Sequence, residues 1–145
     1  MKAPDPNFAQ RVRANFAKQN VMGLLGASIA RLEPGAVDLR MPHDARLTQQ
    51  DGYLHAGIVT TLVDSAGGYA AYTLMPAESS VLSVEFKLNF MAPAKGHSYT
   101  GKGRVLRSGR TLTVVSFEAV AHGPDGDTVC ATGLATMMCL PRPKP

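Results

Sequence analysis

Residues 54 to 71 read LHAGIVTTLVDSAGGYAA, and Asp64 is the one carboxylate in that stretch. Glycines, alanines, threonines and aliphatics surround it. Residues 57 to 73 can be placed on a helix at about 100° per residue. Ile58, Val59, Leu62, Val63, Ala66, Tyr69 and Ala70 then fall within an arc of roughly 140°, the face expected to meet a core. Asp64 lies nearly opposite the centre of that arc, among Gly57, Thr60, Thr61, Gly67, Gly68 and Ala71. A solvated helix face normally carries Lys, Glu, Arg or Gln, and this one has no charge besides Asp64. Two adjacent mid-helix glycines cost about 1 kcal/mol each relative to alanine, a cost that close approach of another element would offset. The expectation is a helix covered on both sides, by its own sheet and by a partner subunit. A lone carboxylate in such an interface is expensive unless it is paired or used in chemistry. The plainer alternatives are an aspartate facing water, or a structural one hydrogen-bonded to a threonine or a backbone amide.

The start of this helix bears on the same question. The first amides of a helix lack internal partners and sit at the positive end of its dipole. They suit a carbonyl gaining negative charge. Ala56 and Gly57 are small enough to admit a ligand there. An oxyanion-type site and a carboxylate about two turns away fit acyl transfer, with the carboxylate attacking directly or deprotonating a water.

The flanking pattern places the helix in an α+β fold. Residues 1 to 20 comprise a loose leader, MKAPDP, and a short amphipathic helix expected over 7 to 20, NFAQRVRANFAKQN, with Phe8, Val12 and Phe16 at four-residue steps. Two strand-like runs follow, about 24 to 32 and 35 to 41, split by the turn signal Glu33-Pro34-Gly35. Residues 42 to 54 form a polar loop. After the helix, VLSVEFKLNFM alternates, so Leu82, Val84, Phe86, Leu88 and Phe90 should form one half-buried face. Turn signals at 92 to 96, at Ser108-Gly109 and at 124 to 126 divide the remainder into an antiparallel meander. The tail PRPKP, 141 to 145, is expected to be disordered.

Composition narrows the function classes. The chain has 145 residues, 45% of them hydrophobic, which suits one domain with its own core. The apolar stretch 54 to 75 contains Asp64, His55 and several hydroxyls, a poor membrane span, and no signal-peptide pattern opens the chain. The sequence has 15 basic and 11 acidic residues. From Lys87 to Arg110 it has basic residues and no acid, which suggests an anionic partner or a solvated sheet face. That segment has few aromatics and no helix-turn-helix or RNP-like pattern, which argues against nucleic acid. Cys130 and Cys139 are nine apart in a strand-like region, roughly 30 Å, too far to pair. They read as buried thiols in a reducing cytoplasm. His43, His97 and His122 are isolated, and no Cys/His cluster suggests a metal.

Three stretches carry a resemblance: LTQQDGYLHAGIVTTLVDSAGGYAA, LSVEFKLNFMAPAKG and a Ser-Gly-Arg-Thr turn. Over about 21 to 140 the chain resembles the hotdog-fold thioesterases of the phenylacetate-pathway (PaaI) type, related to 4-hydroxybenzoyl-CoA thioesterases. The resemblance implies a long central helix wrapped by a curved antiparallel sheet of about five to six strands. It implies homodimers with active sites at the interface, pairing again into homotetramers. Asp64 would be the nucleophile or general base. The family's His-Gly-Gly stands here as His55-Ala56-Gly57, whose amides would polarise the thioester carbonyl. Gln49, with Gln50 beside it, occupies the place of a residue that orients water or the carbonyl. Ser83 matches a strand position near the catalytic centre, and Thr61 could do similar work from the helix. Coenzyme A would enter as part of the substrate, with no separate cofactor, and its phosphates would suit Lys95 and Arg110.

The expected activity is therefore hydrolysis of an aryl- or medium-chain acyl-CoA, in a pocket lined by Tyr53, Leu54, Tyr72 and Phe90. Two alternatives stand beside it. One is a non-catalytic acyl-CoA sensor. The other is a hotdog dehydratase, against which His55 and Asp64 fall on opposite azimuths. His55 itself reads either as a base or as a structural residue opening the helix.

Overall fold

The structure is a computed structural model that describes residues 1–141. At its centre is the helix α3, Ala56–Tyr72, 17 residues long and so about 25 Å in length. His55 caps its start. That residue has extended backbone, and its Nδ1 accepts the Gly57 N–H at 2.9 Å, satisfying a first-turn donor that the helix cannot. The helix end is closed from a distance. Arg11 donates to the carbonyls of Tyr72, at 3.2 Å, and Met75, at 2.8 Å.

Six strands wrap this helix: β1 Ser28–Glu33, β2 Ala36–Pro42, β3 Ser79–Phe90, β4 Ser98–Ser108, β5 Leu112–Gly123 and β6 Gly126–Pro141. They form one sheet in the order β1-β2-β4-β5-β6-β3, antiparallel throughout. This is the hotdog arrangement that the resemblance implies. Val37, Gly103, Phe117 and Gly133 stand in one row across β2, β4, β5 and β6. Gly103 is where the helix comes nearest, since any Cβ there would run into the Ala66 carbonyl. Around that approach Leu39, Leu62, Ala66, Ala70, Phe117 and Met137 form a buried core.

Residues 7 to 20 depart from the single helix expected. They divide between α1, Phe8–Phe16, and the start of α2, Asn20–Leu24. The strand expected from 24 begins only at Ser28. Gly26, at φ 63°, ends α2 in the left-handed region, and the Ala27 N–H returns to the Met22 carbonyl at 2.9 Å. That is a glycine C-cap, which a reading of strand period alone passes over. Pro141 ends β6 opposite Ser79 instead of opening a tail; the rest of the expected tail, 142 to 145, lies outside the described residues.

The strand β3 also departs from its alternation. A bulge between Ser83 and Glu85 shifts the register, and a bulge changes which face each following side chain takes. Ser83 reaches α3, and Phe86 meets the buried Phe117 ring at 6.4 Å. Residues 83 and 86 therefore share the helix side, and the apolar run from Leu82 to Phe90 is not one face. It is not half-buried either. β3 is the last strand of the sheet, and Leu82, Val84, Phe86 and Phe90 are all exposed.

Candidate active site

Asp64 sits midway along α3 and is partly buried. The Ser83 hydroxyl donates to its Oδ1 at 2.7 Å. The pair borders a half-open cavity of about 240 Å³ between the N-terminal residues Asn15 and Gln19, α3 and β3. Asn15, Gln19, Ser65 and Tyr69 complete its polar lining. The Tyr69 hydroxyl bonds the side-chain oxygens of Asn15 at 3.2 Å and Gln19 at 3.4 Å. Burial, with a smaller contribution from Tyr72, pushes the Tyr69 phenol up to about 12.

The helix start forms a second, separate cleft of about 400 Å³, bordered by Gln49, Tyr53, Leu54, Ala56, Phe90 and Cys130. Eight residues separate Ala56 from Asp64, about 12 Å along the helix axis. In one chain these two half-sites therefore do not meet.

The donors at this end are divided unevenly. The Gly57 N–H is taken by His55, and the Ile58 and Val59 N–H groups by the His55 carbonyl. Among the described residues, none accepts from the Ala56 N–H. Of the two amides the sequence offered for the carbonyl, the one at Ala56 is open and the one at Gly57 is occupied. His55 is engaged as a cap through Nδ1. The Thr61 hydroxyl donates to the Gly57 carbonyl at 2.8 Å. Gln49 holds its own loop together, its Oε1 accepting the amides of Asp51 and Tyr53. Gln50 is exposed and donates to Asp51 at 3.3 Å, away from the cleft lining.

The proposed phosphate ligands stand far apart in one chain. Lys95 borders a groove of about 410 Å³ that shares Tyr53, Ala92 and Pro93 with the cleft at the helix start. Arg110 lies in the β4–β5 turn, beyond the far end of the 11-residue β4, roughly 35 Å of strand away. Tyr72, expected to line the pocket, is buried in the core. Cys130 borders the cleft, but burial pushes its thiol up, which keeps it protonated and a poor nucleophile.

The sequence reading missed Asn15, Gln19, Ser65 and Tyr69. Tyr69 fell on the expected core face, where its ring does pack, with its hydroxyl at the cavity. Asn15 and Gln19 stand in the stretch 7 to 20, expected to be a short amphipathic helix outside the main domain. Their four-residue spacing was the available signal, and nothing local tied it to α3.

Comparison with known proteins agrees with this fold. Residues 51–133 match the family model described as the thioesterase superfamily. A putative esterase of Saccharolobus solfataricus is 34% identical over 82% of this chain and 77% of its own length. The proofreading thioesterase EntH of Klebsiella pneumoniae is 30% identical over 84% of this chain and 88% of its own. Among solved structures, a thioesterase family protein from Silicibacter pomeroyi superposes with a TM-score of 0.91 at 51% identity, over 92% of this chain and 98% of that one.

Proposed function

This chain belongs to the thioesterase superfamily as a hotdog-fold hydrolase of thioesters, and from that premise we propose that it hydrolyses an acyl-CoA through Asp64. The observation that carries this reading is the Ser83–Asp64 bond of 2.7 Å at the edge of a cavity. The hydroxyl holds Oδ1 and leaves Oδ2 for chemistry. Asp64 Oδ2 takes a proton from water as the resulting hydroxide attacks the thioester carbon. The alternative use of the same oxygen is direct attack, giving an acyl-enzyme anhydride that water then opens. In either case negative charge builds on the carbonyl oxygen, where the Ala56 N–H and the helix dipole stabilise it. The C–S bond then breaks: in the first route the coenzyme A sulfur leaves with the proton that Asp64 took from water, and in the second it leaves as a thiolate that solvent protonates.

That chemistry needs both half-sites together, although they lie about 12 Å apart on one helix. A homodimer joined through β3 resolves this, with α3 of each copy offering Asp64 to the helix start of the other. The exposed Leu82, Val84, Phe86 and Phe90 on an unpaired edge strand support that joint. Antiparallel joining of two β3 strands also puts the Arg110 turn of one copy and the Lys95 end of the other at the same end of the joined sheet, where both suit the phosphates of coenzyme A. Pairing of dimers into a tetramer is part of the same proposal. The dehydratase reading is disfavoured because the His55 Nδ1 is engaged by the Gly57 amide.

The test is thiol release from a panel of aryl- and fatty-acyl-CoAs by wild type and Asp64→Asn. The expected result is turnover that falls at least about a hundredfold in the variant, with acyl-CoA binding retained. Equal turnover in both forms would remove Asp64 from the reaction. Binding without turnover by the wild type would favour a sensor.

A further inference from the structure

We propose that Tyr69, Asn15 and Gln19 form a specificity site that receives the far end of the acyl group and favours an end bearing a hydrogen-bonding group over plain hydrocarbon. This inference rests on the thioesterase reading of Asp64 and extends it to the acyl group.

The argument begins with distance. An acyl group whose carbonyl carbon lies at Asp64 can extend into the cavity that Asp64 borders. Tyr69 is five residues further along α3, about 7.5 Å along the axis, close to the length of an aryl ring or a six-carbon chain. The cavity is about 240 Å³, below the common range for drug-sized ligands of roughly 300–1,000 Å³. A short acyl end fits within it.

The chemistry of the far wall narrows the choice. A pocket for hydrocarbon is expected to end on aliphatic side chains. Besides Val81 and Leu82, this one is lined by a phenol, two carboxamides and the Ser65 hydroxyl, with Gln19 Nε2 donating to Ser65 Oγ at 3.4 Å. Tyr69 is only 5% exposed, and the Phe16 ring packs edge-on against it at 5.7 Å, so its hydroxyl is held in place. Its contacts with Asn15 and Gln19, at 3.2 and 3.4 Å, are long for O–H···O bonds, which centre near 2.7–2.8 Å. One hydroxyl proton cannot serve both oxygens well. A ligand hydroxyl, carbonyl or amide entering there gains a donor and acceptors that the protein pairs only loosely. A methyl end gains none of these. Because burial raises the Tyr69 phenol to about 12, it stays a neutral donor at ordinary pH.

The test compares 6-hydroxyhexanoyl-CoA with hexanoyl-CoA by kcat/KM, in wild type, Tyr69→Phe and the pair Asn15→Leu/Gln19→Leu. The expected result is at least a tenfold preference for the hydroxylated substrate in wild type. Both variants should bring the ratio toward one. A wild-type ratio near one, or a ratio that both variants leave unchanged, overturns the inference. Calorimetric Kd values for the same two thioesters with Asp64→Asn provide a second reading. Absence of all turnover by the wild type would defeat the thioesterase proposal alone. The Kd ratio would then decide the specificity site, and equal Kd values would overturn it.

Discussion

The Ser83 hydroxyl donates to Asp64 at 2.7 Å and so ties the edge strand β3 to the middle of α3. The contact joins two residues 19 apart in sequence. It gives the one carboxylate of this helix a defined orientation without neutralising it. A hydrogen bond to a charged group contributes about 1.5–3 kcal/mol. Ser83→Ala should therefore lower kcat by about ten- to a hundredfold while KM changes little. Steady-state kinetics on the best substrate of the panel measures this, and an unchanged kcat would show the bond to be incidental.

His55 acts first as a helix cap. Replacing an N-cap by alanine costs about 1 kcal/mol, or about 3 °C in Tm for a chain of this size. His55→Ala should show that loss in thermal unfolding. His55→Asn restores a capping acceptor and should recover most of it. Failure of asparagine to recover stability would point to a different role for the imidazole.

At the other end of α3, Arg11 joins three elements. It donates to Asp5 at 2.8 Å, caps the carbonyls of Tyr72 and Met75, and lies over the Tyr72 ring. The Asp5 and Arg11 side chains are 7% and 11% exposed. Breaking a buried pair leaves an uncompensated charge and costs about 3–5 kcal/mol. Arg11→Met should unfold at markedly lower urea. The double variant Asp5→Leu/Arg11→Met should regain much of the difference, because the stranded carboxylate is gone. Equal stabilities of single and double variants would contradict this account.

Tyr69 makes stability depend on alkaline pH. Its folded-state pKa, about 12, lies above the ordinary value of 10.0, so the folded protein holds the phenolic proton more tightly than the unfolded chain. The associated stability is fully present below pH 10 and is lost as pH rises toward 12, amounting to about 2–3 kcal/mol at most. Urea midpoints at pH 8 and pH 11.5 should fall further in wild type than in Tyr69→Phe. Parallel losses in the two proteins would place the titration elsewhere.

Much of the fold was readable because its signals are local. The apolar arc of α3, the turn residues between strands and the alternation along the meander each arise within a few residues. Asp64 could be singled out for the same reason, as a charge that its own helix leaves unexplained. Apart from the Gly26 cap, a local signal passed over, the failures share the opposite cause. Gly67 was read onto the Asp64 side, yet the structure buries it against Val115, Phe117 and Met137. Helix azimuth alone does not say how widely a curved sheet wraps.

Sequence by itself therefore determined most of the elements, the antiparallel meander after α3 and the residue to ask about, because hydrophobic period and turn chemistry act over short spans. Tertiary structure decided the rest. It seated Ser83 on Asp64 through a bulge and assigned the Gly57 amide to His55. It brought Asn15 and Gln19 to Tyr69, residues 54 and 50 positions away. These contacts come from the packing of α1 and β3 against α3, and no local pattern encodes distances across such a packing.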